Sequence, residues 1–186
     1  MKKKFLFFFF IIFLSGDITY SFFQHLSMPL DGDMPDSILV RNEIKKIFHD
    51  PLGISTIMKN DFYPNPNRFF AHWIYSRYFL NIPLFLQKIT TPINSIYLSG
   101  AIAKTLIQIG IILIIGIFIC GPKNIFSADM LLSASLITPL FQTNGYVRYM
   151  GLIDPSITYT FFYALPIVFL VFFYMPFFLE RFWKIS

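Results

Sequence analysis

Asp31-Gly32-Asp33 sets two carboxylates one flexible residue apart, with Asp36 close behind and Pro29 and Pro35 bracketing the pair. The intervening glycine lets both side chains turn towards one divalent cation, or lets one of them take a proton from a hydroxyl group. The same residues are ordinary turn formers, so a solvated turn capped into the next helix fits the pattern as well. A second pair of charges is separated by most of the chain. Asp17 and Lys104 each interrupt a long apolar run. A lone charge in hydrocarbon costs several kcal/mol, so pairing the two is the simplest way for both to persist there. Gln108, one turn beyond Lys104, makes that helix face polar and therefore inward-pointing.

The remaining reactive side chains exclude more chemistry than they suggest. His25, His49 and His72 are too widely spaced to show a metal-ligand pattern, and Cys120 is the one cysteine, so neither an intrachain disulfide nor a thiolate cluster can form. No phosphate-cradling glycine loop and no nucleophile elbow occurs. Arg148 lies between Tyr146 and Tyr149. It is an arginine in an interfacial tyrosine belt, or the group that receives a phosphate if the carboxylates act as a base.

Elements that hold these residues must be read in a bilayer. Apolar residues are 55% of the chain, charged residues 13%, and 25 of the 186 positions are phenylalanine, which is too apolar for a water-soluble domain of this length. The net charge of +5 comes from basic residues that are dispersed or flank apolar runs, without a nucleic-acid-binding signature. It carries topology instead.

Residues 5–23 follow three lysines and form a first span of about 28 Å. Phe13 and Leu14 stand where a cleavage site needs small residues, so an uncleaved signal anchor is expected. Residues 96–120 form the clearest span, stopped by Gly121-Pro122. Residues 127–142 are shorter and carry Asp129, Ser133, Ser135 and Pro139, which suits a thin third span or a re-entrant segment. Residues 157–179 form the last span, introduced by Asp154 as N-cap and Pro155 as first helical residue. Four spans with Lys2 to Lys4, Lys123, Arg181 and Lys184 on one side place both termini in the cytoplasm and Arg148 outside.

Residues 24–95 form the outer loop. A helix from Asp36 through His49 would gather Val40, Ile44, Ile47 and Phe48 on one side. Breaks follow at 50–53 and 63–67, and an aromatic helix over 68–79 suits the headgroup boundary. The expected fold is all-α: a polytopic membrane protein of about four spans, with juxtamembrane helices in its first outer loop.

A first span, an acidic cluster at its outer end, two juxtamembrane helices and then further spans resemble the start of the C-type membrane glycosyltransferases, which use a polyprenyl-phosphate sugar donor. The resemblance covers approximately residues 5–120 as an arrangement of elements, with Asp31-Gly32-Asp33 as its motif. It implies Asp31 or Asp33 as catalytic base or metal partner, a divalent cation at that pair, Arg148 on the phosphate, and a polyprenyl-phosphate lipid as donor. Those enzymes have many more spans. The resemblance therefore implies an N-terminal portion, incomplete as a stand-alone enzyme. Two other functions fit the same residues: a non-catalytic subunit with a membrane-protein partner, and a small transporter component in which Asp17 and Lys104 govern flux.

Overall fold

The structure is a computed structural model that describes residues 2–39, 42–61, 69–141, 153 and 155–184. Among the described residues all regular structure is helical. Three helices are long and apolar enough to cross a membrane: Lys4–Leu26, Pro92–Cys120 and Ile157–Trp183. The chain is an all-α integral membrane protein.

Helix α1 runs over Lys2–Leu26. Short helices α2 (Met34–Ile38), α3 (Asn42–His49) and α4 (Ile54–Lys59) follow, then α5 (Phe69–Leu86) and α6 (Pro92–Cys120). Local chemistry sets the bounds of α6: the Thr91 hydroxyl accepts the Asn94 N–H, Pro92 opens the first turn, and Gly121 at φ 78° ends it. Its length of about 43 Å exceeds a hydrocarbon core of about 30 Å, so its outer turns reach the headgroup level.

Helix α6 is the axis of the bundle. Of its apolar window 44% is buried inside the protein, against 11% for the first and last spans, which therefore face mainly lipid. One core joins α1 to α6 through Leu14, Ile107 and Ile112. A second joins α5, α6 and the last span through Tyr75, Phe79, Ala103 and Phe161. In α5 the buried positions Phe69, His72, Tyr75, Ser76, Phe79 and Pro83 recur every three or four residues, which is the stripe of a helix with one side turned to the rest of the bundle.

Of the thin third span or re-entrant segment expected over 127–142, the described part is shorter than a crossing. Helix α7 (Ala128–Ile137), capped by the Ser127 hydroxyl, passes into a 3-10 turn over Thr138–Phe141. Together they rise about 20 Å. Pro139 explains the change of winding, since it offers no N–H to an α-helical carbonyl. Residue 142 lies outside the described residues.

The last span begins with α8 (Ile157–Tyr159), loosens into a π turn over Thr160–Ala164, and continues as α9 (Leu165–Trp183). The loosened winding directly precedes Pro166, which has no N–H for the carbonyl one turn back. Trp183 packs against Gly121 at the end of α6. Because α1 is antiparallel to α6, the start of α1 and the end of α9 lie on one face of the bundle. The chain has therefore changed sides between Gly121 and Pro155.

The outer loop departs from expectation in two places. The helix expected from Asp36 to His49 is divided into α2 and α3, with residues 40 and 41 outside the described ones. Asp33, not Asp36, takes the N-cap position of α2, and does so without a side-chain hydrogen bond. The aromatic helix expected to end at 79 continues through Leu86, accommodating Pro83.

Candidate functional site

Every helix leaves its first N–H groups without partners and carries a partial positive charge at that end. At the start of the last span Ser156 is the N-cap, accepting the Tyr159 N–H at 3.2 Å. The acceptor for the adjacent groups comes from the far end of the sequence. Asp31 Oδ2 accepts the Ser156 hydroxyl at 2.7 Å and the Thr158 N–H at 2.9 Å, while its Oδ1 accepts the Thr158 hydroxyl at 2.8 Å.

Partial burial pushes the Asp31 carboxyl up, but the Thr158 amide, the Ser156 and Thr158 hydroxyls and the Asp33 amide outweigh it and hold the group below the usual carboxylate range. Tyr75, fully buried, meets the Thr158 hydroxyl at 3.3 Å. Burial, with the charges of Asp31 and Asp33 behind it, pushes its phenol up and keeps it neutral. Burial likewise pushes Tyr78 up to about 12, and its hydroxyl donates to the Ser99 carbonyl at 2.8 Å.

The two carboxylates of the acidic pair thus differ. Asp31 is engaged at both oxygens and ties the outer loop to the last span, whereas Asp33 is exposed. Among the described residues, no group of three or more His, Cys, Asp or Glu is arranged to hold a metal ion. Arg148 lies outside the described residues, as does Asp154; the N-cap expected at Asp154 is taken by Ser156.

One turn into the bundle lies a second polar cluster. Gln108, fully buried, donates from Nε2 to the Ser21 hydroxyl at 3.2 Å, and its Oε1 lies 3.0 Å from His25 Nε2. That arrangement makes His25 Nε2 the N–H donor and leaves Nδ1 as a lone pair, which has no hydrogen-bond partner among the described residues. Lys104, 3% exposed, donates to Met28 Sδ at 3.2 Å and to the Pro155 carbonyl. A cavity of about 20 Å³ between His25, Met28, Met34 and Lys104 has room for about one water.

Asp17 and Lys104, expected to pair, are held at different levels. Lys104 meets the chain at Met28 and sits beside His25, whereas Asp17 lies about 12 Å further down α1 and accepts the Thr138 hydroxyl at 2.5 Å. Depth counted from the expected span ends misjudged this because α1 runs on to Leu26 and α6 begins at Pro92. Gln108 does face inward, as its spacing from Lys104 implies.

His25, Ser21 and Asp17 are functional candidates by burial and bonding; the sequence weighs His25 only as a metal ligand and leaves Ser21 unread. Their signal was present: the three recur every four residues and so share one face of α1. Comparison with protein-family models, with curated proteins and with solved structures finds no match to this chain.

Proposed function

We propose that this protein is a non-catalytic membrane subunit, an integral component that works through association with another membrane protein. The observation that carries this reading is the engagement of Asp31: a carboxylate bound by three donors of the last span and by the Asp33 amide, and acidified by them, is a poor proton acceptor but a strong tie between segments. The other polar groups of the bundle likewise bond helix to helix, through Gln108 to α1 and through Asp17 to Thr138. Polar contacts of this kind hold membrane helices together where no hydrophobic force acts between them. By the positive-inside bias, the face with Lys4 and Arg181 is cytoplasmic and the Asp31 end lies outside an inner or plasma membrane.

The test is native gel analysis and co-purification from gently solubilised membranes of the source cell. A discrete assembly larger than the single chain, insensitive to Asp33→Asn, supports the reading. A chain that migrates alone in native membranes refutes it.

A second reading keeps the sugar-transferase resemblance, and the exposed carboxylate of Asp33 favours it. On that reading Asp33 removes the proton of an acceptor hydroxyl, whose oxygen bonds to the sugar's anomeric carbon as the bond from that carbon to the polyprenyl phosphate breaks. Loss of lipid-linked sugar transfer in Asp33→Asn, with the protein still folded, would distinguish it.

A further inference from the structure

The membrane face on which α1 starts and α9 ends carries most of the chain's positive charge. Six basic residues belong to it, Lys2, Lys3, Lys4, Lys123, Arg181 and Lys184, against two acidic ones, Asp129 and Glu180. The segment that joins α1 to α6 at the opposite face, residues 27–91, is nearly balanced, with seven basic residues and six acidic ones. The excess on the first face counts both signs, so it stands whichever groups pair among themselves. Helix dipoles leave it unchanged, since α6 and α9 end on this face while α1 and α7 begin on it.

At one edge of that face the fold sets charge beside aromatic surface. The Trp183 ring against Gly121 joins the end of α9 to the end of α6. Lys184 follows the ring by one residue and Lys123 follows the glycine by two, and both are exposed. The turn that presents Lys123 is fixed to its helix: Asn124 Nδ2 donates to the Cys120 carbonyl at 2.9 Å, and the Ser127 N–H donates to the Asn124 carbonyl at 2.9 Å. The same turn holds Phe126 out at 92% exposure, and Trp183 keeps an exposed edge. Large rings held off their own protein next to lysines fit the boundary where headgroups meet acyl chains.

Independently of the subunit reading, we propose that this edge binds an anionic phospholipid of its own leaflet, with the phosphate at Lys123 and Lys184 and the acyl chains over Phe126 and Trp183. Charge selects the headgroup. A zwitterionic lipid brings a cation of its own to the two lysines, whereas a net-negative one does not, and each lysine close to an anionic headgroup favours it by about fivefold. The exposed rings select a lipid over a soluble anion, because only the lipid covers them.

The experiment uses the full chain with Trp73→Phe, which leaves Trp183 as its one tryptophan. The protein is placed in phosphatidylcholine vesicles that contain increasing fractions of phosphatidylglycerol brominated on its acyl chains, or of phosphatidylcholine brominated in the same way. Bromine quenches indole emission only at short range, and both leaflets hold the lipid, so the direction of insertion does not matter. Brominated phosphatidylglycerol should quench Trp183 at about a tenfold lower mole fraction than brominated phosphatidylcholine. Lys123→Gln and Lys184→Gln should each reduce that preference by about threefold to fivefold, and Lys123→Arg should keep it. Lys4→Gln, on the same face at the start of α1, and Lys88→Gln, across the membrane, should leave it unchanged.

Equal quenching by the two brominated lipids would overturn the proposal, as would a preference that survives Lys123→Gln and Lys184→Gln together. A preference that Lys4→Gln lowers as much as Lys123→Gln would also overturn it, by showing a diffuse surface potential in place of a site.

Discussion

Asp31 and Thr158, separated by 127 positions in the chain, are joined at both carboxylate oxygens, by an amide at 2.9 Å and a hydroxyl at 2.8 Å. The pair closes the outer loop onto the last span and supplies the acceptor that the helix start requires. Asp31→Ala removes the acceptor from three donors of the last span, and Asp31→Asn keeps its shape while losing its charge. Bonds to a charged group are worth about 1.5–3 kcal/mol net, and water entering this partly exposed site satisfies some of the abandoned donors, so Asp31→Ala should cost about 2–3 kcal/mol and Asp31→Asn less. Thermal unfolding in detergent measures both, and an unchanged midpoint in Asp31→Ala would refute the tie.

The same carboxylate gives stability an acid limit. Its folded pKa lies below the ordinary value of 3.8. A depressed acid stabilises fully above its unfolded pKa and loses that contribution as pH falls through the folded one. The Asp31 contribution should be constant from neutral pH down to about 5 and vanish progressively below about 4. Asp31→Asn should flatten that acid limb; an unaltered limb would assign it to other groups.

Gln108 bonds Ser21 and His25 from one buried amide. Gln108→Leu should destabilise the bundle by about 1–2 kcal/mol, the scale of interhelical hydrogen bonds in membranes. In a double-mutant cycle with Ser21→Ala, the two changes should be less than additive, because each removes the same bond. Strict additivity would mean that the Ser21 contact contributes nothing.

At the opposite end of α6, Gly121 has φ 78°, and a Cβ there would lie 2.9 Å from the Trp183 ring. Gly121→Ala should therefore cost about 1–2 kcal/mol from the backbone alone, with a further loss from displacing the indole. Adding Trp183→Leu should recover the second part and not the first. Unfolding midpoints of the two variants decide this, and a neutral Gly121→Ala would contradict it.

How much of this could be read from sequence depends on the range over which each contact acts. The spans were legible because a helix through lipid announces itself in consecutive apolar residues, and Gly121-Pro122 marks the end of α6 with local chemistry, whereas its start at Pro92 lies four residues before the expected 96. The acidic pair drew notice at once, yet its role was hidden: nothing near Asp31 reveals that Ser156 and Thr158 will be its donors. Depth fared worse than identity. A shift of a few residues at two helix ends was enough to move Lys104 from Asp17 to Met28. Arg148 and Asp154 stay as sequence expectations, lying outside the described residues.

One wide turn governs how the final membrane segment is aimed. Thr160–Ala164 is wound with an extra residue relative to an α-helix. Within it Phe161 presents to Tyr75, with ring centres 4.9 Å apart; downstream Phe178 meets Phe118 at 4.5 Å and Trp183 covers Gly121. Excising a single residue there would restore regular winding and swing everything below by about 100° around the axis. Those two aromatic contacts at the far end would then point into lipid, so the aim of the nineteen residues of α9 hangs on one extra residue in the turn above.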